Sequence, residues 1–348
     1  PVREVLSLGP KFAIQPKKTT PELLAMVRRV AKASPESESA RCISDGADVI
    51  GRYQLCERSL PVGRTVRYLK DNSLALLTSD KEGGFAVISK DLYKTKALET
   101  ISSVFDEHKT SAVRKAKVTA MKLCKELKLD HLLRGIKTCK KSSLDAFFTV
   151  KTHKPDWPLR VIISERGTWQ KILGVFLQAK LKLLTIDDPF QVKSSDDIAR
   201  FLTDNSSSAF AACSVDVKDL YYSIPHDELM VSVEECIDTH GAVAFQNACG
   251  MSIRGFLELL AVYLRSTHVC WEEKVYLQKR GVCIGSCIAP LLSDLYLARK
   301  DRFPNATPAG TNAKKAPRYV DDHPAPCDGQ RANTPEAAME EAGRPAQA

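Results

Sequence analysis

No Cys-x-x-Cys pair occurs in the 348 residues, although eleven cysteines are scattered from Cys42 to Cys327. The nearest pair, Cys283 and Cys287, stands in a glycine-containing loop with no histidine close by. That pattern argues against a zinc site, and an odd number of cysteines fits free thiols in a reducing, intracellular compartment, nuclear or cytoplasmic. Nor does any apolar run approach the roughly 20 residues that a membrane-crossing helix needs. No signal peptide opens the chain, so no membrane partner is expected. The first residue is Pro1 rather than Met, which fits a piece of something longer. Large apolar residues are missing from one end: after Asp322 the last 26 residues contain no Leu, Ile, Val, Phe, Tyr or Trp, but four Pro and seven Ala. Such a segment cannot bury enough apolar area to offset its ordering entropy, and residues 323–348 are expected to be disordered.

What is present is a foldable and basic chain. It is 44% apolar and 27% charged, enough for a real core and for two domains or subdomains. Lys and Arg number 51 against 42 Asp and Glu, a net charge of +9. The excess is concentrated. Between Lys109 and Lys182 there are 18 basic residues and 5 acidic ones, more than the surplus of the whole chain. A block of this kind suits an anionic partner, nucleic acid first, and the plain alternative is a solvated helical face.

Periodicity then orders the chain. TTPELLAMVRRVAKA has Thr19 or Thr20 to cap a helix and Pro21 at its first position, and SPESES interrupts it. SLALLTSDKEGGFAVISK reads as two short strands around a Lys-Glu-Gly-Gly turn. Residues 93–140 are mostly helical and increasingly basic. DAFFTVKTHKPDWPLRVIIS reads as a β-hairpin with a basic tip, and WQKILGVFLQAKLKLL as a helix. AFAACSVDVKDLYYSIPHDELMVSVEECI gives a strand, a tight bend and a helix from about Pro225. GFLELLAVYLRST is helical. HVCWEEKVYLQKRGVCIGSCIAPLLSDLYLA gives a small hairpin, a glycine loop and a helix.

Two stretches carry chemistry. In SVDVKDLYYSIP, Asp216 ends a run of small and apolar residues that reads as a buried strand. A carboxylate there is costly unless it binds a cation or finds partners, and the bland alternative is an Asx turn before a capped helix. In APRYVDDHPAPCDG, Asp321 and Asp322 follow Tyr319 and Val320. Nucleotidyl transfer on two metal ions needs carboxylates brought together from separate segments. An isolated Asp-Asp is common, and only the two stretches together make a pattern.

In that order, DVKDLYYSIP resembles motif A of reverse transcriptases and RYVDD resembles motif C. Between them GVCIGSCIAPLLSDLYL is similar to motif B. Upstream, KTHKPDWPLRVIIS resembles motif 2, LLTSDKEGGFAVISKDLY resembles motif 1, and LSLGPKFAI also fits. KTHKP…PLR, RYVDD and the DKxGG segment together look most like Penelope-like retroelement reverse transcriptases, over about residues 5–322. The resemblance implies an α+β fold, the fingers and palm of a right-hand polymerase with the thumb missing. It would comprise a helical extension over 1–70, fingers and palm over 71–322 and a non-family tail over 323–348.

The same resemblance implies an RNA-directed DNA polymerase using two Mg2+ ions, an RNA template, a DNA primer and deoxynucleoside triphosphates. Asp216 and Asp321 would be the metal ligands, with Asp322 beside them. Tyr221 would be a steric gate against a ribose 2′-hydroxyl, its alternative being a core aromatic beside Tyr222. Asp219 and its neighbours would line the triphosphate with backbone N–H groups. Arg160 would clamp the nucleotide phosphates, with one of Lys151 and Lys154 assisting. Gly285 and Ser286 would let the template–nucleotide pair approach the backbone. Asp80 and Lys81 read as turn residues with a lesser fingers role, and His153 receives no role. The basic stretch 109–182 would hold the template–primer backbone by charge.

Three positions depart from the family. Cys287 replaces a usual Pro, which bears on the stiffness of the loop. Ile284 stands where many reverse transcriptases have Gln. After RYVDD the family returns with an apolar strand, whereas HPAPCDG has two prolines and no β-former. With no counterpart of the primer grip, the thumb or a GIY-YIG endonuclease, a truncated or frameshifted copy with weak or no processive synthesis is expected. The other reading is an inactive, basic nucleic-acid-binding remnant.

Overall fold

The computed structural model describes residues 2–10, 19–55, 61–188, 191–192, 194–204, 211–217, 219–302, 318 and 322–327. Two compact units emerge, Pro1–Ala97 with Phe148–Arg160, and Leu98–Phe147 with Val161–Ala348.

The first unit begins with helices α1 (Val2–Ser7), α2 (Thr20–Ala33), α3 (Glu36–Leu55) and α4 (Val62–Asp71). Helix α2 starts as its sequence specifies: the Glu22 carboxylate accepts from the Thr19 backbone N–H at 2.7 Å and from its hydroxyl at 2.9 Å, the reciprocal half of a capping box. Strands β1 (Leu74–Ser79) and β2 (Phe85–Ser89) pair antiparallel from Leu74↔Ser89 to Thr78↔Phe85. The turn between them closes through Ser79 N–H to the Gly84 carbonyl, with Gly83 at φ +66°. This is the hairpin read from the sequence. Helix α5 (Lys90–Val104) follows and runs into the second unit.

In the second unit come β3 (Phe105–His108), α6 (Thr110–Glu126) and α7 (Asp130–Thr138). Strand β3 breaks a region expected to be mostly helical. Its partner is β8, introduced below, so its strand character comes from a distant segment that local periodicity cannot reveal. Strands β4 (Leu144–Val150) and β5 (Leu159–Ser164) pair as the expected hairpin and pass through both units. In the first unit the end of β4 runs parallel to β1, Thr78↔Thr149. In the second its start runs parallel to β7, Leu144↔Val269.

The rest of the second unit is α8 (Trp169–Leu181), α9 (Ser195–Asp204), β6 (Ala211–Asp216), α10 (Leu220–Ser223), α11 (His226–His240), α12 (Ala242–Cys249), α13 (Ile253–Leu264), β7 (His268–Trp271), β8 (Lys274–Gln278), α14 (Ala289–Arg302) and β9 (Asp322–Cys327). Glu272 and Glu273 both take positive φ, 46° and 66°, the backbone that a two-residue hairpin loop between β7 and β8 demands. One large core joins α6, α7, α8, α11, α13 and α14. Trp169, Leu173, Leu177, Leu229, Phe256 and Leu292 are fully buried in it. Phe245 and Phe256 meet edge to face at 5.2 Å between centroids.

Strand β9 departs from the expectation that no strand returns after the aspartates. It pairs antiparallel with β6 over six residues, from Asp216↔Asp322 to Ala211↔Cys327. Pro324 and Pro326 lie two residues apart, opposite Ser214 and Ala212. Residues two apart in a strand direct their nitrogens to the same side, so both missing donors can fall on the edge away from β6. The two strands form a sheet of their own. Residues 328–348, also expected to be disordered, lie outside the described residues. Among the described residues no helix is long and apolar enough to cross a membrane, and the cysteines are free thiols.

Candidate catalytic site

In the second unit, the two motif ends that the sequence singled out meet at the backbone. Asp216 is the last residue of β6 and Asp322 the first of β9, and they are direct partners in the ladder. Directly opposed residues of an antiparallel pair have Cα atoms about 4.5–5.5 Å apart. Asp321 lies outside the described residues, as do the side chains of Asp216 and Asp322.

The chain turns sharply after β6. Asp219 takes a left-handed conformation, φ 50° and ψ 38°, which Asp tolerates better than most residues. Its carbonyl accepts from the N–H groups of Tyr222 and Ser223, and its side chain is exposed. The two tyrosines divide: Tyr222 is buried and donates its hydroxyl to the Val161 carbonyl at 3.1 Å, whereas Tyr221 is half-buried. Tyr222 is the more buried of the two, and Tyr221 packs against the large core from its half-buried position.

The glycine loop, residues 281–288, packs on this turn and on β5. Val282 N–H donates to the Tyr221 carbonyl at 2.7 Å, and Ile163 N–H to the Ile284 carbonyl at 2.8 Å. His226 reaches the Gly281 carbonyl with Nε2 at 2.7 Å. Gly281 and Gly285 have φ +79° and +100°, and a Cβ would lie 2.2 Å from the Tyr221 oxygen at the first and 2.2 Å from the Ile163 oxygen at the second. Gly285 is thus required by the protein's own backbone. Gly285→Ala is expected to lower stability by roughly 1–3 kcal/mol, measured by urea unfolding. Gly84→Ala is the control, because a Cβ there meets nothing within 4 Å.

Ser286 is buried. Its Oγ lies 2.6 Å from the Tyr263 hydroxyl, and Tyr263 donates in turn to the Glu165 carboxylate. Glu165 is 5% exposed. Burial first, and then the Glu165 charge, pushes the Tyr263 hydroxyl well above its usual range. The same two causes push the Cys283 thiol well up and raise that of Cys287.

A second buried network centres on Arg318. Arg318 is 0% exposed. Its Nε donates to Asp301 at 2.8 Å and its Nη2 to Asp188. Its carbonyl accepts from Val192 N–H at 2.9 Å. Gln191 links the cluster to Asp294 at 3.3 Å. The Asp294 carboxyl is raised, chiefly by burial, against the lowering effect of Arg318.

The first unit holds the remaining candidates. Arg160 Nη1 lies 2.9 Å from the Asp80 carboxylate, whose other oxygen accepts from the Thr149 hydroxyl at 3.0 Å. The Asp80 side chain is 6% exposed and that of Arg160 37%. Asp80 is therefore more than a turn residue: it fixes one end of the guanidinium. Lys81, His153 and Lys154 are exposed and Lys151 half-buried. Lys151 N–H closes the hairpin tip onto the Pro158 carbonyl at 3.0 Å.

Glu165, Tyr263 and Arg318 had no role in the sequence reading. For Glu165 a signal existed, a carboxylate at the end of the apolar strand LRVIIS, the same kind of signal that marked Asp216. For Arg318 none existed, since an arginine before an apolar pair reads as solvated until its partners are known.

No family model and no curated protein matches this sequence. Among solved structures the chain is similar to a telomerase from Candida albicans in complex with a TWJ fragment of telomeric RNA, at 14% identity and a TM-score of 0.46 over 74% of this chain. It is also similar to an apo telomerase from Candida tropicalis, at 12% identity and a TM-score of 0.48 over 80% of this chain. The chain spans about half the length of each, 45% and 52%.

Proposed function

We propose that this chain is the fingers-and-palm part of an RNA-directed DNA polymerase of a Penelope-like retroelement. The observation that supports it best is the β6–β9 register, which sets Asp216, the end of the motif A-like segment, opposite Asp322 of the motif C-like segment. Asp216, Asp321 and Asp322 offer only carboxylate oxygens, the donor set that suits magnesium. When bound, two such ions would lower the pKa of the attacking hydroxyl and offset the triphosphate charge. The chain's own residues bind and orient. Tyr221, half-buried and packed against the core, is the gate on the sugar in this reading. The backbone of the 281–288 loop is the surface offered to the template–nucleotide pair. Arg160 presents its fork to phosphate, with Lys151 or Lys154 assisting. The basic residues of 109–182 hold the nucleic-acid backbone by sequence-independent charge.

The test is extension of a DNA primer on a homopolymeric RNA template with magnesium. Incorporation above background that ends on chelation is the expected result. Salt-dependent RNA binding with no incorporation would favour the inactive remnant. Where incorporation is seen, Arg160→Lys is expected to raise KM for the nucleotide about tenfold or more, since a hydrogen bond to a charged group contributes roughly 1.5–3 kcal/mol. Steady-state kinetics against nucleotide concentration would read this.

A further inference from the structure

We infer that Glu165 is a positioning residue that sets the shape of the 281–288 loop, and so of the nucleotide-facing surface assigned to that loop. Its functional half rests on the polymerase reading above.

A carboxylate accepts and does not donate. Tyr263 must therefore give its proton to Glu165 Oε1, and its oxygen is left to accept from Ser286 Oγ, 2.6 Å away. Ser286 then accepts from Ile288 N–H at 3.3 Å. The other Glu165 oxygen accepts directly from Cys287 N–H at 3.4 Å. Two successive amides of the loop thus end on one buried carboxylate, one directly and one through two hydroxyls. Gln178 donates its side-chain amide to the Cys287 carbonyl. Every link lies in the second unit and is buried or half-buried.

Burial makes this network directional rather than merely adhesive. A buried donor that loses its acceptor is more costly than the bond itself contributes. Removing the carboxylate would take the acceptor from both the Tyr263 hydroxyl and the Cys287 N–H. Tyr263 can turn its proton to Ser286, 2.6 Å away, which breaks the order of the chain, whereas the Cys287 N–H is left without this acceptor and is satisfied when the loop moves out to water. The Cys287 N–H also bears on the departure from the family's usual Pro. Where proline would stiffen the loop through its ring, this chain has an amide tied to a fixed acceptor.

Amide hydrogen exchange decides the question on Glu165→Leu, Glu165→Gln and Tyr263→Phe. Leu fills the volume but accepts nothing. Gln can still accept from Cys287 N–H and can donate to Tyr263 if the hydroxyl chain reverses. The expected result is exchange about tenfold or more faster over 283–288 in Glu165→Leu. Little change is expected in α11 and α13, nor over 283–288 in Glu165→Gln, and an intermediate effect in Tyr263→Phe. Loop exchange in Glu165→Leu equal to that of the unsubstituted protein would overturn the inference. So would an equal rise throughout the second unit. If Glu165→Leu does not fold, Tyr263→Phe carries the same comparison. Where the protein incorporates nucleotide, KM in Glu165→Leu is expected to rise about tenfold with kcat changed less than about threefold. Absence of incorporation in the unsubstituted protein would count against the polymerase reading and leave the exchange result to decide the role of Glu165.

Discussion

Arg318→Ala is expected to destabilise the second unit by about 3–5 kcal/mol, the cost of removing one partner of a buried ion pair. Two carboxylates depend on this guanidinium, Asp188 at 2% side-chain exposure and Asp301 at 9%. Without it both buried carboxylates lose this cationic partner. Packing alone would predict a smaller loss, and a triple variant separates the two causes. Arg318→Met with Asp188→Leu and Asp301→Leu removes the charges together, and a whole buried triad can be replaced at little cost. The triple variant should therefore be more stable than Arg318→Ala. The pH dependence gives a second check. Asp294 has a raised folded-state pKa, and Arg318 acts to lower it. A carboxyl with a raised folded pKa stabilises the fold below its unfolded pKa and loses that contribution as pH rises through the folded value. Removing Arg318 raises Asp294 further, so the deficit of Arg318→Ala should shrink as pH falls through the acid range. Urea unfolding across pH measures both. A loss under about 1 kcal/mol, the size of an ordinary surface change, would mean that the network does not carry the fold.

The elements legible in the sequence were those whose cause is local. Thr19, Pro21 and Glu22 specify the start of α2 within four residues, and the structure closes the capping bonds there. The hairpins at 74–89 and 144–164 follow from short apolar runs on either side of turn residues. What escaped depended on partners far along the chain. Strand β3 owes its state to β8, where Phe105 pairs with Gln278. Strand β9 looked forbidden because proline was counted per residue, whereas in a two-stranded sheet its phase decides. The site divides along the same line. Asp216 stood out because a carboxylate ending an apolar run is a local signal, whereas Gly285 and Arg160 were marked through the resemblance of their segments to motif B and motif 2. Glu165 meets Tyr263 across 98 positions, and Arg318 meets Asp188 across 130. Nothing at either end of such a pair announces the other. Asp80 lay between these cases, visible as a turn residue but acquiring its role only when Arg160 came to it.

The largest catalytic effect is expected from Asp216→Asn and Asp321→Asn. Each exchanges an anionic oxygen for an amide of nearly the same shape, so the main change is one unit of charge at a proposed cation site. Charge stabilisation by bound metal ions is worth several kcal/mol, and each 1.36 kcal/mol is a factor of ten in rate. Either variant should therefore lower kcat for incorporation by about a thousandfold or more. Folding should be little affected, because the β6–β9 pairing is made by the backbone and an amide does not alter that ladder. RNA binding should persist or tighten slightly, since each variant removes one negative charge from a chain that is already +9. Three measurements on the same preparations read this pattern: single-turnover incorporation, urea unfolding, and RNA affinity against salt concentration. If either variant incorporates at the unsubstituted rate, the site assignment fails for that residue. If incorporation and unfolding free energy fall together, the aspartates hold the sheet rather than the chemistry. Incorporation lost while stability and the salt slope are retained is the one combination in which these carboxylates act on the reaction itself.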